Sequence, residues 1–540
     1  MKLSNHRIMK YILGVFLLFL LTDTLQAQNN NGNIVSIYNS DSTFVGTGLM
    51  RNNLMEGLWK FENPKTGNLI QTSNFLNGLR DGTTIAYYNG LVKRLEAEYR
   101  KNKLNGPFKE YDIYGNLRLE LVFQDSIPVG PYKEYHPKTS SASNFNPNLV
   151  KIEGNYLNGK KDGLWITYYD MTPPTIAIRE NYKNGILEGK YSEYDFDGSL
   201  VLEVNYIDGE PDGPFKKYVY NKMIWQEGEF DKGRKVGKWL SYFPGTKTIE
   251  SEKYYDERGN KTGEWKYYYE NKRVARVENY ENDIPVGTWE EFFPNRNLSK
   301  RKTYELGVPV GEYIENHSNG DVSVVGQYKS GSKDGLWKSY FPDGNLYSIG
   351  EYKNDLKTGL WKYFNKIGIL IAEGEYNLGS ENGQWFYYYD GGQLKSVGSY
   401  FLGFEEGTWG LFYDNKQLTQ EEYWSNGRLL NVGEYNNFTG TKTFEKGTLK
   451  DGNGTRITYY VNGKKESEGN YKDGKPNGKW SYFHENERLA SEGQMIDGKK
   501  EGLWRYFNIN GRLEQVITFE NDQIKEPKDP EPEISFKTFN

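Results

Sequence analysis

Gly335-Leu336-Trp337-Lys338-Ser339-Tyr340-Phe341 decides the fold, because the chain keeps rewriting it. Gly163-Leu-Trp165-Ile-Thr-Tyr168-Tyr169 is the same sentence in other words. Its opening glycine recurs at 57, 82, 106, 130, 163, 189, 213, 237, 263, 287, 311, 335, 359, 383, 407, 433, 454, 478 and 502, mostly in steps of 24. A fixed period of that length is the mark of a repeat architecture, in which each unit contacts its neighbours only. About 19 units result. Longer loops are expected near 136–150 and 170–175, where the step stretches, and the units near 431–460 read as degenerate because the step shortens and Arg456 replaces a ring.

Within a unit, the second residue after the glycine is aromatic in 17 of 19 cases and the fifth is Tyr or Phe in 17 of 19. A turn follows, as in Pro342-Asp343-Gly344, and then a second run such as Leu370 to Tyr376. Asn-Gly and Asp-Gly pairs accept the positive φ of tight hairpin turns, and Asn158-Gly159, Asp162-Gly163, Asp208-Gly209, Asp334-Gly335 and Asp473-Gly474 are read as closing the units. Each unit is therefore expected to be a β-hairpin. The predicted class is all-β, an elongated solenoid-like array of stacked antiparallel hairpins.

Side chains alternate across a strand. One face is expected to carry a structural ladder of Trp59, Trp165, Trp239, Trp265, Trp289, Trp337, Trp361, Trp385, Trp409, Trp480 and Trp504, with a second-strand glycine such as Gly350 leaving room for the indole beside it. The other face is expected to carry Tyr168, Tyr242, Tyr268, Tyr340 and Tyr388, candidates for a binding row, and an acidic column at Glu153, Glu203, Glu227, Glu278, Glu373 and Glu468. In units written Trp361-Lys-Tyr363-Phe364 one ring shifts by a residue and its face stays open. Burying an indole removes roughly 150 to 250 Å² from water, an upper bound of about 4 to 6 kcal/mol, so stacked rings replace a central core. Two strands per unit at about 4.8 Å each predict a length on the order of 180 Å before twist.

Composition agrees with this reading and excludes others. Of 540 residues, 60 are Gly, 45 Tyr, 27 Phe and 13 Trp, and none is Cys. Aromatics make up 16% against 36% for all apolar types, too few aliphatic residues for an ordinary helical or doubly wound core. A mean hydropathy of −0.82 would suit disorder were the chain not so rich in rings. The net charge of −5 is scattered, so no basic face invites nucleic acid.

Residues 1–27 read as a signal peptide: Lys2, Arg7 and Lys10, then the apolar run Tyr11–Leu21, then Leu25-Gln26-Ala27 before Gln28. That run is short of the ~20 residues a spanning helix needs. An exported protein is expected, periplasmic, outer-surface or secreted, with no membrane span once processed and no disulfides. Residues 28–48 are read as a cap or linker, 49–523 as the array, and 524–540, with Pro527, Pro530 and Pro532, as a flexible tail.

The motif seen from Asn158 to Tyr169 and from Gly368 to Tyr376 resembles the MORN repeat variant of bacterial YwqK-type, antitoxin-like proteins, over about Leu49 to Asp522. The resemblance implies extended hairpin arrays and scaffolding, dimerisation or membrane-surface attachment; it brings no catalytic residues. The antitoxin label fits poorly, since a cytosolic toxin is not met by an exported protein. Chemistry is sparse too. His6 lies in the signal and His136, His317 and His484 in unrelated units, too few for a metal site or a triad, and without Cys no thiol nucleophile exists. Asp195-Phe196-Asp197-Gly198 reads as a turn and not a calcium loop. No metal, cofactor or enzymatic activity is expected. The function read is a scaffold or protein-interaction rod of the cell envelope, with protein partners or self-association; the alternative is glycan or peptidoglycan binding by exposed aromatic rows.

Overall fold

The computed structural model describes residues 32–39, 43–89, 91–137, 148–219 and 222–525. The expected signal peptide, the tail beyond Lys525 and most of the loop after His136 lie outside them. No helix occurs among the described residues. They form two compact units, one running to Ile249 with Glu257–Gly259, the other comprising Glu250–Asp256 and everything from Asn260.

In the first unit each main strand after Asn33–Tyr38, as far as Arg234–Tyr242, pairs antiparallel with the main strand before it in sequence, as Leu69–Leu76 does with Leu54–Glu62. The stretch read as a cap holds an ordinary hairpin, Asn33–Tyr38 against Val45–Arg51. The second unit repeats the plan through Leu418–Ser425 and Arg428–Val432. There the ladder stops. A short pair, Tyr435–Asn436 with Thr443–Phe444, follows, and a seven-stranded sheet begins at Gly454–Tyr459.

Two kinds of turn alternate. Units are joined by two-residue turns with positive φ at both positions, such as Asn158-Gly159 (50° and 81°) and Asp473-Gly474 (51° and 74°), as their sequence predicts. Asp162-Gly163 and Asp334-Gly335 are different. Gly163 lies inside the strand Lys160–Tyr168, and the pairing slips around it, so that Glu153 pairs with Ile166 but Asn155 with Asp162. The opening glycine is thus a β-bulge residue, held at φ +68° in Gly163 and +61° in Gly359, a conformation that costs any residue with a Cβ. Alternation of faces restarts after each bulge. Gly433 lacks the positive φ, and it is where the regular ladder fails.

Ten of the eleven ladder indoles are buried, from Trp59 and Trp504 at 0% to Trp480 at 7%; Trp289 is half-buried. Each is covered from its own side of the sheet. Trp361, for instance, has Tyr352 at 5.2 Å and Tyr376 at 6.0 Å on its flanks, Tyr363 stacked at 6.0 Å, and the Lys357 ammonium 4.5 Å from its centre. Tyr363 and Tyr482 therefore belong to the ring face, which settles the units of the Trp-x-Tyr-Phe type.

Candidate interaction faces

The glycines that make room for the indoles serve the next unit and not their own. Trp337 pairs across the hairpin with Gly350, yet a Cβ on Gly350 would come to 2.5 Å of Trp361 Cγ and closer to two other indole atoms. Nine glycines, 48, 154, 228, 326, 350, 374, 398, 469 and 493, lie in this way beneath the indole eleven residues later. The same indole donates its N–H to the carbonyl one residue beyond that glycine, Trp361 to Glu351 and Trp385 to Glu375, at 3.1 and 3.0 Å. Where the ring is smaller the glycine is replaced: Ala97 opposes Phe108, Val204 opposes Phe215 and Leu121 opposes Tyr132.

Two further rows of bonds run along the turn edges. The sixth residue after the opening glycine reaches the main chain of the following unit: the hydroxyls of Tyr169 and Tyr389 donate to the carbonyls of Tyr194 (2.7 Å) and Phe412 (2.8 Å). All three described histidines stand at this position. The Nε2 of His136, His317 and His484 donates to Tyr168, Tyr340 and Phe507 at 3.2, 2.9 and 2.9 Å. They lie in separate units but at equivalent places within them. At the other edge the acidic residue before the opening glycine caps the next turn: Glu188 accepts the amide N–H of Asp208 (3.0 Å) and Glu406 that of Asn426 (2.7 Å). Glycine N–H groups of those turns bond back as well, Gly209 to Leu187 and Gly379 to Lys357. These side chains are bonded between repeats.

The opposite face carries the five candidate tyrosines, and all five, Tyr168, Tyr242, Tyr268, Tyr340 and Tyr388, are half-buried. Three of them are bonded to carboxylates of that face. Tyr168 donates to Glu153 and Tyr242 to Glu227, both at 2.6 Å, and Tyr388 donates to Glu373 at 3.0 Å. Burial first, then the adjoining carboxylate, pushes each of these three phenols up to about 12. Glu203 and Glu468 pair instead with Lys190 and Lys465, each at 2.9 Å. Glu278 was expected in that column, but one residue of offset puts it on the ring face, where it is buried and takes the hydroxyls of Tyr267 (3.3 Å) and Tyr280 (3.1 Å) and lies 2.9 Å from Arg276 Nε. Asp195 and Asp197 bind amide groups of their own turn, of Phe196 and Ser199.

At the break in the second unit Arg456 occupies the indole position. It forms a buried ion pair with Glu422, while Gln420 lies 3.4 Å away and the Trp424 N–H reaches Glu422 at 2.9 Å. Leu429, Val432 and Leu449 pack beside it. Among the described residues no cluster of three acidic or histidine side chains could hold a metal ion.

The family model for the MORN repeat variant matches five segments, 187–208, 261–282, 333–354, 381–401 and 453–473. Each covers one repeat, from just before its opening glycine through both strands of the hairpin to the next two-residue turn. No curated protein matches the chain. The crystal structure of TcdB2-TccC3-Cdc42 contains a chain similar to 90% of this one, at 9% identity and a TM-score of 0.12; the present chain spans 30% of that chain's length.

Proposed function

From a chain that carries MORN repeat variants in a repeated β-sheet, we propose a non-enzymatic scaffold that works in the cell envelope after export. The observation that carries this reading is the commitment of its polar and aromatic groups to neighbouring repeats: indole N–H to carbonyl, Tyr hydroxyl to carboxylate, acidic side chain to turn amide. What is left to the solvent is repetitive. Apolar residues that open the first strands, Leu54, Ile127 and Ile186 in the first unit and Ile284, Val308, Leu356 and Phe404 in the second, are 42 to 52% exposed, a row of like contacts along a turn edge within each unit. Such a row engages a protein partner, or another copy, through many weak contacts whose sum grows with repeat number. The glycan reading finds support at a single place, around Trp289.

The test is graded deletion in the full-length protein. A scaffold loses partner or self-association stepwise as whole repeats are removed, and mass spectrometry of the mature protein finds Gln28 at its N-terminus. An activity or association abolished by loss of one particular repeat and indifferent to the others would refute the scaffold reading.

A further inference from the structure

Trp289 departs from the ladder in three ways at once. Lys261 and Lys333 lean over Trp265 and Trp337, at 5.0 and 4.4 Å from the ring centres, whereas the same position before Trp289 is Pro285. Trp361 and Trp385 have a tyrosine stacked two residues on, and Trp289 has Glu291. Glu278 stands where an underlying glycine would lie, eleven residues before. The indole keeps Tyr280 at 5.2 Å and Tyr304 at 4.8 Å as flanks, and is held by its N–H to the Asn279 carbonyl at 3.1 Å, but its outer side is not covered like the others.

Beside this opening lies unneutralised charge. Lys302 is the direct cross-strand neighbour of Trp289, in place of the glycine that Trp337 and Trp361 face. Its ammonium lies among rings, 5.9 Å from the centre of Tyr304, 5.7 Å from Tyr313 and 5.0 Å from Tyr328. No carboxylate stands within 4.0 Å of Lys302 or Lys333 among the described residues. Glu278 is engaged with Arg276 and two tyrosines and Glu315 with the Tyr313 hydroxyl at 2.6 Å, while Glu291 attracts Lys302 from beyond ion-pair distance. Burial, and then repulsion from Lys300, pulls the Lys302 ammonium below the ordinary lysine range against the smaller attraction of Glu291, a cost that an incoming anion would offset.

We propose that Trp289 and Lys302 form a binding site for an acidic polysaccharide, the sugar ring lying on the half-open indole and its carboxylate or sulfate on the ammonium. The indole favours a sugar over a bare anion, since flat rings give stacking area that phosphate does not use, and the half-buried lysine favours an acidic sugar over a neutral one. The other ladder indoles are closed to a sugar by their lysine, tyrosine or neighbouring rings, so within the ladder the site is single and not one per repeat.

Isothermal titration of the full-length protein with polygalacturonate tests this, with dextran, inorganic polyphosphate and anionic phosphatidylglycerol vesicles as comparison arms. Binding of polygalacturonate should weaken about tenfold or more in Lys302→Gln and in Trp289→Leu, and dextran should bind at least about tenfold more weakly than polygalacturonate. Lys302→Glu, which keeps every ring, should abolish binding and guards against loss of local packing in Trp289→Leu; circular dichroism melts of all variants accompany the titrations. No binding of polygalacturonate, binding indifferent to Trp289 or Lys302, or binding of polyphosphate or vesicles alone would overturn the proposal.

Discussion

Gly350→Ala puts the smallest possible side chain where the structure has no room. The new Cβ would come to 2.5 Å of Trp361 Cγ and nearer to Cδ2 and Cε2, whereas ordinary contact needs at least about 3.4 Å. The indole cannot tilt aside, because Tyr352 and Tyr376 flank it, Lys357 lies over it and its N–H is bonded to the Glu351 carbonyl at 3.1 Å. Overpacking alone costs about 1 to 3 kcal/mol, and full expulsion of the ring about 4 to 6 at the upper bound, so a loss of about 3 kcal/mol is expected. Gly359→Ala is the internal control: no atom lies within 4 Å of its Cβ, but its φ of +61° charges an L-residue about 1 to 2 kcal/mol. Hydrogen exchange read peptide by peptide should show Gly350→Ala exposing 346–364 and 370–377, with 465–520 unchanged. Adding Trp361→Phe should recover part of the loss, as Ala97 opposite Phe108 already does in this chain, with a coupling of about 1 kcal/mol or more. A Gly350→Ala protein as stable as Gly359→Ala, or a double variant no better than the single, would refute the ring-over-glycine account.

Arg456→Leu should cost about 3 to 5 kcal/mol in urea unfolding, because it strands the buried Glu422 carboxylate, and Glu422→Leu in the same chain should restore most of it. On the alkaline side, the phenols of Tyr168, Tyr242 and Tyr388 titrate near 12 in the folded chain against about 10 when unfolded. Their contribution is therefore complete below pH ~10 and lost as pH rises through 12, so thermal midpoints should fall across that window, and absorbance at 295 nm should show these phenolates forming late; Tyr242→Phe should remove one late titration without flattening the rest.

The period, the two-strand unit and the indole ladder were legible because they live in local pattern: ring spacing, and turn pairs such as Asn158-Gly159 whose backbone demand is written in the residues themselves. Tyr242 with Glu227 was legible for the same reason, since alternation puts both on one face. The rest depends on contacts between units. Gly350 lies under Trp361 and not under its cross-strand partner Trp337, and Glu188 caps a turn twenty residues on; no period-2 reading carries such a separation. The bulge at each opening glycine resets the alternation, which is why Glu278 falls on the ring face and Tyr363 beside Trp361. The equivalence of His136, His317 and His484 was in the numbering all along, six residues after 130, 311 and 478, and only the shared carbonyl contact gives it meaning.

Excision of one complete period tests most directly whether each repeat is held by the next. Removing residues 359–382 joins Thr358 to Gly383 and hands Trp385 the place of Trp361 above Gly350, whereas removing 359–370 sets the indoles out of step. Hydrogen exchange across the junction should show the first protein as protected as the parent on both sides of the splice, and the second open through several strands. Equal disruption by both excisions, or none by either, would contradict a fold built from interlocking neighbours.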